Sequence, residues 1–489
     1  MFYEAQRAGE LPNDQRVKWR NSSGLLDGSE AGQDLTGGYY DAGDYIKFIY
    51  PLTFTLTEIC YGALEFYDGY VLANQTHYLD QMVRWGTDWL IKAHPNDNTL
   101  YVQVGIAEVD NNYWGPDTSI PNPRPVFFVS DTKPGTDVMA DAAAAFASCS
   151  IMYRDKLHDA TYAATLQTHA EVLYKLAETS TPQQVYQKVV PAASCCYPST
   201  SYLHDLAWGA AWLFRLTNDV VYANKASAYT DRVISQKGDL MAPISWDDKI
   251  GFVYILMASL TRGMVDGSKW QNLAEGFAAF TINAAKPCSF TKGGMYYCYG
   301  SSGDDSAVVA ANAALALALL ASHMEATSNT SYRAFALKQI RYILGDNPEK
   351  TPYIVGVHPN SPMNPHSALA AAGNGFNSID TSPAKDGHEL FGAVVGGPDK
   401  NDRFMDQRSN WRQNEVALDY NAPFTGLMAY QVMTSHEPPP YIHVLAGQRN
   451  DPPSGTFGSM ATWLIALIAS LASAIVLVLG IFICRRKRN

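Results

Sequence analysis

The stretch Gly135–Arg154, GTDVMADAAAAFASCSIMYR, carries small or apolar side chains on nearly every face of a helix. A helix without a polar stripe needs neighbours on all sides. Two further runs share this character, HDLAWGAAWLFRLTND at His204–Asp219 and AVVAANAALALALLASHMEAT at Ala307–Thr327. These segments predict the inner layer of a large all-α protein.

Other segments show the polar stripe of a helix with one exposed face. His77–His94, HYLDQMVRWGTDWLIKAH, is one, and it predicts an outer layer. Roughly eleven candidate helices alternate with turn-rich segments along the chain. This pattern supports a large all-α domain but does not determine how its helices are arranged.

The composition excludes one class of partner and suggests another. The 489 residues carry a formal net charge of −11, so we expect no nucleic acid to bind. The 29 Tyr and 10 Trp exceed what a core needs, and the surplus suits a groove that stacks on flat faces such as those of sugars. The alternative is that most of these rings pack in the core.

The C-terminal region predicts a membrane anchor. Residues 460–484 contain no charged side chain and are long enough to cross a bilayer as a helix. The basic tail, residues 485–489, is then cytoplasmic, and the main domain lies outside the plasma membrane. A glycolipid-anchor signal is the competing interpretation, but such signals usually lack a basic end. The Pro/Gly-rich residues 436–459 would form a stalk.

This single-pass topology requires an N-terminal signal peptide, and none is present in the sequence. We therefore expect the N-terminus to be incomplete. A tail-anchored cytosolic protein is the alternative, but it would place the basic tail on the wrong side of the membrane. Sequons at Asn21, Asn74 and Asn329 fit an extracellular glycoprotein.

The cysteines show no CxxC pair of the kind that binds zinc. Cys288 and Cys298 are near enough in sequence to close a short loop if they are oxidised.

Two acidic motifs lie far apart in the chain. Gly37–Phe48, GGYYDAGDYIKF, sets Asp41 and Asp44 three residues apart in a glycine-punctuated, aromatic-rich segment. Such a pair can hold a water and remove its proton if a third carboxyl elsewhere acts as the acid. Taken alone, the pair is more often a turn or a cation site. The second motif is FMDQRSNWRQNEVALDYNA at Phe404–Ala422.

Together these motifs resemble those of the family 9 glycoside hydrolases. Further matches follow in order at FYEAQRAGELP, WRNSSGLLDG, SWDDK, LGDNP and GAVVGGPD, so that the resemblance runs from Phe2 to about Tyr430. It implies that residues 1–435 form a catalytic domain with an (α/α)6 barrel fold. It also implies an inverting endo-β-1,4-glucanase, a cellulase that cuts internal bonds of a β-1,4-glucan outside the cell.

The resemblance assigns the catalytic roles. Glu415 is the acid, Asp44 is the base, and Asp41 shares its water, while Asp406 holds the loop around the acid. We expect Glu415 to begin a helix after Asn414 and burial to raise its pKa. The alternative is a carboxylate that simply stabilises a helix N-terminus.

Four further residues resemble the family's substrate-binding positions. Trp114 and Trp246 would stack on sugar rings. His366 would bind sugar near the cleavage point, and the Tyr420 hydroxyl would reach a sugar or a catalytic carboxylate there. For Tyr420, a buried, hydrogen-bonded tyrosine is an equally good interpretation.

The sequence also departs from the family pattern. Ala368 stands where an arginine is expected after His366, Asn111 replaces a histidine, and Tyr299–Asn312 lacks an arginine. All three catalytic carboxylates remain, so we interpret the chain as an active, divergent member with altered subsites. The alternative is a non-catalytic, membrane-anchored glucan-binding or wall-sensing protein.

No metal or cofactor is expected. Calcium is a common ligand in the family, but His204-Asp205 stands where two carboxylates are usual, and Gly251 replaces another acid. Calcium needs several oxygen ligands, and these substitutions disfavour it.

Overall fold

The computed structural model describes residues 1–237, 241–323, 330–435 and 437–447. The helices in these ranges are α1 (Phe2–Ala5), α2 (Ile49–Leu72), α3 (Thr76–Ala93), α4 (Ala107–Asp110), α5 (Thr136–Asp155), α6 (Ala160–Thr179), α7 (Leu203–Thr217), α8 (Val220–Lys237), α9 (Ile250–Leu260), α10 (Gly267–Ile282), α11 (Ser302–His323), α12 (Thr330–Ile343), α13 (Ala368–Ala371), α14 (Trp411–Asn414) and α15 (Leu418–Thr434). The strands are β1 (Lys47–Phe48), β2 (Thr99–Val104), β3 (Val126–Ser130), β4 (Cys288–Phe290) and β5 (Tyr296–Cys298).

Six long helices form a closed inner ring. In order these are α2, α5, α7, α9, α11 and α15; each packs on the next, and α15 packs on α2. Helices α3, α6, α8, α10 and α12 pack against the outside of the ring. This arrangement is that of an (α/α)6 barrel, and the predicted helical fold is confirmed.

The burial of each helix follows its sequence pattern. In α5 every residue from Thr136 to Tyr153 is buried, and α11 is buried from Ser306 to Ala321. The outer helix α3 buries only a stripe that includes Leu79, Val83 and Leu90. Apolar side chains on all faces can leave water only between other helices, whereas an apolar stripe needs one neighbouring layer.

Two small antiparallel sheets were not predicted from the sequence. In the first, β1 pairs with β2 so that Lys47 lies opposite Val104, and β2 pairs with β3. The second is the hairpin of β4 and β5. Strand β1 directly follows the loop of Asp41 and Asp44, so the first sheet fixes one end of that loop.

Disulfides join residues both near and far in sequence. Cys288 bonds to Cys298 across the β4–β5 hairpin, as predicted. Cys60 bonds to Cys149 and so links the inner helices α2 and α5 across 89 residues of sequence. Cys195 bonds to its neighbour Cys196. Neither of these two pairs was predicted; for Cys60 and Cys149 the reason is that sequence spacing does not show which helices become neighbours.

Part of the predicted stalk contacts the rest of the described chain. Gly447 donates its backbone N–H to Asn360 Oδ1 at 2.9 Å, and the Asn360 amide donates to Leu445 O at 3.1 Å. Arg341 pairs with Glu437 at 3.2 Å. Residues 437–447 therefore pack on the domain, because their backbone polar groups find partners there.

The predicted membrane span at 460–484 and the tail at 485–489 lie outside the described residues. Within the described ranges, α11 is the one helix long and apolar enough to cross a membrane. Its most apolar window is 89% buried inside the barrel, as expected for a core helix.

Candidate active site

The two acidic motifs meet at one end of the barrel. The backbone N–H of Asp41 donates to Ile46 O at 2.9 Å, and its carbonyl accepts the N–H of Leu418 at 2.9 Å. The backbone N–H of Gly43 donates to Glu415 Oε1 at 3.2 Å. The main chain thus holds the predicted base loop against the predicted acid.

Gly43 is the closest point of this approach. A Cβ atom there would lie 2.0 Å from the carbonyl oxygen of His366. The Gly43 carbonyl also accepts the N–H of Ala368 at 2.7 Å. Any side chain at residue 43 would push the loop away from Glu415 and His366.

Glu415 does not begin a helix, contrary to the prediction. It lies between α14 and α15, with φ −55° and ψ 146°, in a short parallel bridge with His366. Its carbonyl accepts the N–H of Gly396 at 3.0 Å. Helix α15 starts three residues later, and Asp419 is the acidic residue in its first turn. The extended backbone at Glu415 places its side chain beside the Asp41–Asp44 loop.

A cleft of about 640 Å³ brings most of the predicted site residues together. Its lining includes Asp41, Asp44, Glu415, Trp246 and Tyr420. This volume lies within the range of about 300–1,000 Å³ that is typical of ligand sites.

Trp114 does not line this cleft. It is 3% exposed, and its ring lies 4.9 Å from that of His366 and 5.5 Å from that of Phe376. A ring so buried has no free face for a sugar, so the stacking role predicted for Trp114 does not fit its position. Because Trp114 packs against His366 outside the cleft lining, it helps to hold His366 in place.

His366 is also outside the lining of the cleft but contacts Glu415 through the parallel bridge. Its Nδ1 lies 2.5 Å from the carbonyl oxygen of Arg408, so this nitrogen carries the proton. Asp406 accepts the backbone N–H groups of Met363 and Asn364, both at 2.9 Å. Asp406 thereby fixes the segment that leads to His366, a geometry that fits the loop-holding role predicted for it.

Burial raises the pKa of Asp41 well above its usual range, and the charges of Asp419 and Glu415 raise it further. The hydroxyl of Tyr197 opposes this rise, because it donates to Asp41 Oδ2 at 2.5 Å. Asp41 lines the cleft, and its buried Oδ1 has no hydrogen-bond partner in the described part of the chain.

Burial likewise raises the pKa of Asp44, and the neighbouring charges of Asp110, Glu415 and Asp41 add to the effect. Asp110 is itself fixed, because its Oδ2 accepts the N–H of Tyr45 at 3.1 Å. Burial also raises the pKa of Glu415, opposed by the charge of His366 and the N–H of Gly43. Raised pKa values suit a carboxylic acid that must keep its proton and a carboxylate that must take one.

The sequence predicted no role for several residues that the structure places in the cleft, among them Tyr197, Trp411 and Asp419. Trp411 is 42% exposed. It lies within the motif that contains Glu415, so its place in the sequence could have indicated a position near the acid. The sequence around Tyr197 gives no such signal.

The suggested calcium position does not fit a metal. The ammonium group of Lys249 donates to Asp205 Oδ1 at 2.6 Å, and His204 Nδ1 lies 3.3 Å from Asp205 Oδ2. An ammonium group therefore lies where a cation would need free carboxylate oxygens. Across the described ranges, no group of three or more His, Cys, Asp or Glu is arranged to hold a metal.

Comparison with known proteins identifies the family. The model of glycosyl hydrolase family 9 matches residues 1–428. Endoglucanase B of Cellulomonas fimi is 39% identical over 477 residues, which cover 93% of this chain but 44% of that protein. Endoglucanase 15 of Arabidopsis thaliana is 36% identical, with 88% of this chain and 91% of that protein covered. The chain thus spans less than half of the first relative and most of the second.

Solved structures agree with this result. An endoglucanase from the termite Nasutitermes takasagoensis is 36% identical with a TM-score of 0.80, covering 88% of this chain and 96% of that one. Endoglucanase CelQ from Clostridium thermocellum, complexed with cellobiose and cellotriose, is 28% identical with a TM-score of 0.78, covering 93% and 71%. The matched motifs, the closed ring of helices and the gathered carboxyl groups have one explanation: the chain belongs to glycosyl hydrolase family 9.

Proposed function

We propose that this protein is an inverting endo-β-1,4-glucanase that hydrolyses internal bonds of cellulose-like β-glucans. The observation that carries the proposal is the meeting of Asp41, Asp44 and Glu415 in one cleft, although Asp44 and Glu415 lie 371 positions apart in sequence. The relatives named endoglucanases, and the cellobiose and cellotriose bound by CelQ, support a β-glucan as the substrate.

The reaction needs a proton donor on one side of the sugar and an activated water on the other. Glu415 protonates the leaving oxygen, and burial keeps its proton available. Asp44 removes the proton of the attacking water. Asp41 accepts the second hydrogen of that water through its unpartnered Oδ1, while Tyr197 fixes its other oxygen.

Aromatic side chains along the cleft supply the sugar contacts. Trp246, Tyr420 and the half-exposed Trp411 border the cleft and offer faces or hydroxyl groups to a glucan chain. His366 positions Glu415 through the parallel bridge between their backbones. Asn111 lines the cleft where the family motif has histidine, and this change alters one subsite.

The proposed location is the outer face of the plasma membrane, with residues 460–484 as a single span. The uncharged run and the basic residues that follow it support this topology. Asn21 and Asn74 are both exposed, but the Asn21 side-chain amide already donates to Asp117 Oδ1 at 3.0 Å. Asn74 is therefore the better candidate for glycosylation.

The stereochemistry of the first product tests the mechanism. Direct attack by water on a β-1,4 bond gives the α-anomer, whereas a covalent intermediate leads to the β-anomer. Proton NMR of fresh cello-oligosaccharide products, before mutarotation, should show the α signal rising first. An initial β signal would show that Asp44 does not activate a water for direct attack.

The second candidate is a glucan-binding or wall-sensing protein without turnover. The loss of cationic and histidine side chains from the sugar-binding motifs favours it. Release of reducing ends from carboxymethylcellulose, compared between the protein and its Glu415→Gln variant, separates the two candidates. Binding without any release of reducing ends would support the second.

A further inference from the structure

One of the three disulfides in the described ranges lies in the catalytic cleft. Cys195 and Cys196 are bonded to each other, line the cleft and are both exposed. The cysteines of the other two disulfides are at most 5% exposed. A reductant in the solvent therefore reaches the Cys195–Cys196 bond first while the protein is folded, and exposed disulfides are the ones that exchange most readily.

This disulfide directly precedes the residue that orients one catalytic carboxylate. Cys196 is followed by Tyr197, whose hydroxyl donates to Asp41 Oδ2 at 2.5 Å. A disulfide between neighbouring residues closes a small ring that contains the peptide bond between them. The ring fixes the φ angle of Cys196, which is −132°, and with it the direction in which the chain continues to Tyr197. The disulfide therefore restrains the position of the Tyr197 hydroxyl.

The other restraints on Tyr197 are non-covalent. Its N–H donates to Ala193 O at 3.1 Å, and its carbonyl accepts the hydroxyl of Tyr186 at 2.7 Å. Its ring packs edge-on against that of Trp246, with the centroids 4.9 Å apart. These contacts hold Tyr197 in the same part of the cleft, whereas the hydrogen bond to Asp41 needs a narrower range of positions. We expect loss of the disulfide ring to weaken that hydrogen bond without unfolding the segment.

We propose that the Cys195–Cys196 disulfide is a redox-sensitive positioning element, which holds Tyr197 on Asp41 when oxidised and lowers turnover when a dithiol reductant opens it. One thiolate of the reductant attacks a cysteine sulfur and forms a mixed disulfide, and its second thiol then displaces that cysteine. The two cysteines gain two electrons and two protons and become thiols, while the reductant becomes a disulfide. The inference rests on the proposed function, in which Asp41 binds the attacking water.

Kinetics of the oxidised and reduced full-length protein in detergent test the inference. In a parallel sample, dithiothreitol followed by iodoacetamide and mass spectrometry should label Cys195 and Cys196 and leave the two buried disulfides intact. In dithiothreitol, kcat on cello-oligosaccharides should fall about fivefold or more, the scale of a weakened hydrogen bond to a carboxylate. KM should change less than about twofold, because Tyr197 acts on Asp41 and the water.

The pH profile shows whether the effect passes through Asp41. The charges of Asp44, Glu415 and Asp419 face Asp41 and favour its protonated form, and the hydroxyl of Tyr197 opposes them. A weaker hydrogen bond from Tyr197 destabilises the ionised form of Asp41. The acidic limb of the kcat/KM profile should therefore move to higher pH when the disulfide is reduced.

Tyr197→Phe separates this coupling from a general loosening of the cleft. The variant lacks the hydroxyl, so its acidic limb should already lie at higher pH, and dithiothreitol should not move the limb or lower kcat further. Replacing both Cys195 and Cys196 by serine should give the kcat of the reduced protein and no response to dithiothreitol. Replacing both Cys288 and Cys298 by alanine is the matched control, because that disulfide lies outside the cleft lining. The control should respond to dithiothreitol as the unmodified protein does.

Amide hydrogen exchange gives a readout that does not need turnover. Reduction should speed exchange in residues 193–197 and also in residues 41–46, where the N–H of Asp41 donates to Ile46 O. Faster exchange in the first segment alone would overturn the inference. A Cys195–Cys196 bond that resists dithiothreitol, an unchanged kcat after reduction, or an equal loss of kcat in Tyr197→Phe would overturn it as well.

Failure of this inference is distinguishable from failure of the proposed function. If the oxidised protein cleaves cello-oligosaccharides and reduction changes neither kcat nor exchange, only this inference fails. If the oxidised protein does not cleave them but exchange rises in both segments on reduction, the proposed function fails and the coupling between the disulfide and Asp41 remains.

Discussion

At the scale of single residues, the cleft depends on carboxyl groups that burial keeps protonated more readily than usual. Asp41, Asp44 and Glu415 share this property. Their differences lie in hydrogen bonding. Tyr197 donates to Asp41, Gly43 to Glu415, and the backbone N–H of Ile46 to Asp44 at 3.3 Å. Each carboxyl therefore has a fixed orientation before substrate arrives.

The first prediction concerns these groups directly. Asp44→Asn and Glu415→Gln should each lower kcat by at least about 10²-fold, the scale of general acid or base catalysis. Asp41→Asn should also be severe, because it removes the partner of the water. Initial rates on cello-oligosaccharides measure the effect. Asp155→Asn is the control, because Asp155 is an exposed carboxylate outside the cleft lining. Near-normal rates in Asp44→Asn or Glu415→Gln would contradict the assigned roles.

The second prediction concerns pH. The charge of Asp110 raises the pKa of Asp44, because repulsion favours the protonated form of Asp44. Asp110→Asn removes that charge, so the pKa of Asp44 should fall. The acidic limb of the kcat/KM profile, which reports the base in the free enzyme, should move to lower pH.

Glu108→Gln is the control for this shift. Glu108 lies on the same short helix α4 but is exposed to solvent. Its profile should match that of the unmodified protein. If the acidic limb of the kcat/KM profile of Asp110→Asn stays at the same pH, the pKa of Asp44 does not determine that limb.

At the scale of elements, the site depends on how closely two loops approach. The Asp41–Asp44 loop and the segment around His366 are in contact through the backbone of Gly43. The first loop ends at β1, the segment around His366 ends at α13, and the segment that carries Glu415 ends at α15. The packing of the barrel helices therefore determines the distances between the carboxyl groups of Asp41, Asp44 and Glu415.

The third prediction follows from this contact. Gly43→Ala should lower kcat at least tenfold and destabilise the fold by about 1–3 kcal/mol, the usual cost of overpacking. Thermal unfolding and initial rates measure the two effects. Gly303→Ala is the control, because a Cβ atom there meets nothing within 4 Å. Full activity in Gly43→Ala would mean that the loop can retreat without moving Asp44.

At the scale of the whole molecule, the catalytic domain includes residues beyond α15. Residues 437–447 pack on it through Asn360 and Arg341. These contacts join residues far apart in sequence, so the composition of residues 436–459 does not reveal them.

The fourth prediction tests these contacts and the membrane anchor together. Protein that ends at Ser459, produced with an added signal peptide, should be soluble and active, because it keeps residues 437–447 and lacks the apolar run. Protein that ends at Ser435 should be less stable in thermal unfolding, because it loses the contacts of Glu437 and Gly447. Retention of the longer form in the membrane fraction would contradict the anchor at 460–484.

The sequence by itself determined the helical class, the division into inner and outer helices, and the acidic motifs. Helix type depends on the periodicity of apolar residues, which is a local property of the chain. The motifs of Asp41, Asp44 and Glu415 were recognisable because their residues lie close together within each motif.

Only the tertiary structure decided which side chains share the cleft. It buried Trp114, brought Tyr197 to Asp41 and Asp419 into the cleft, and joined Cys60 to Cys149. It also gave Glu415 an extended backbone, which a helical pattern did not predict. These outcomes depend on contacts between residues far apart in sequence, and such contacts exist only after the ring of helices has closed.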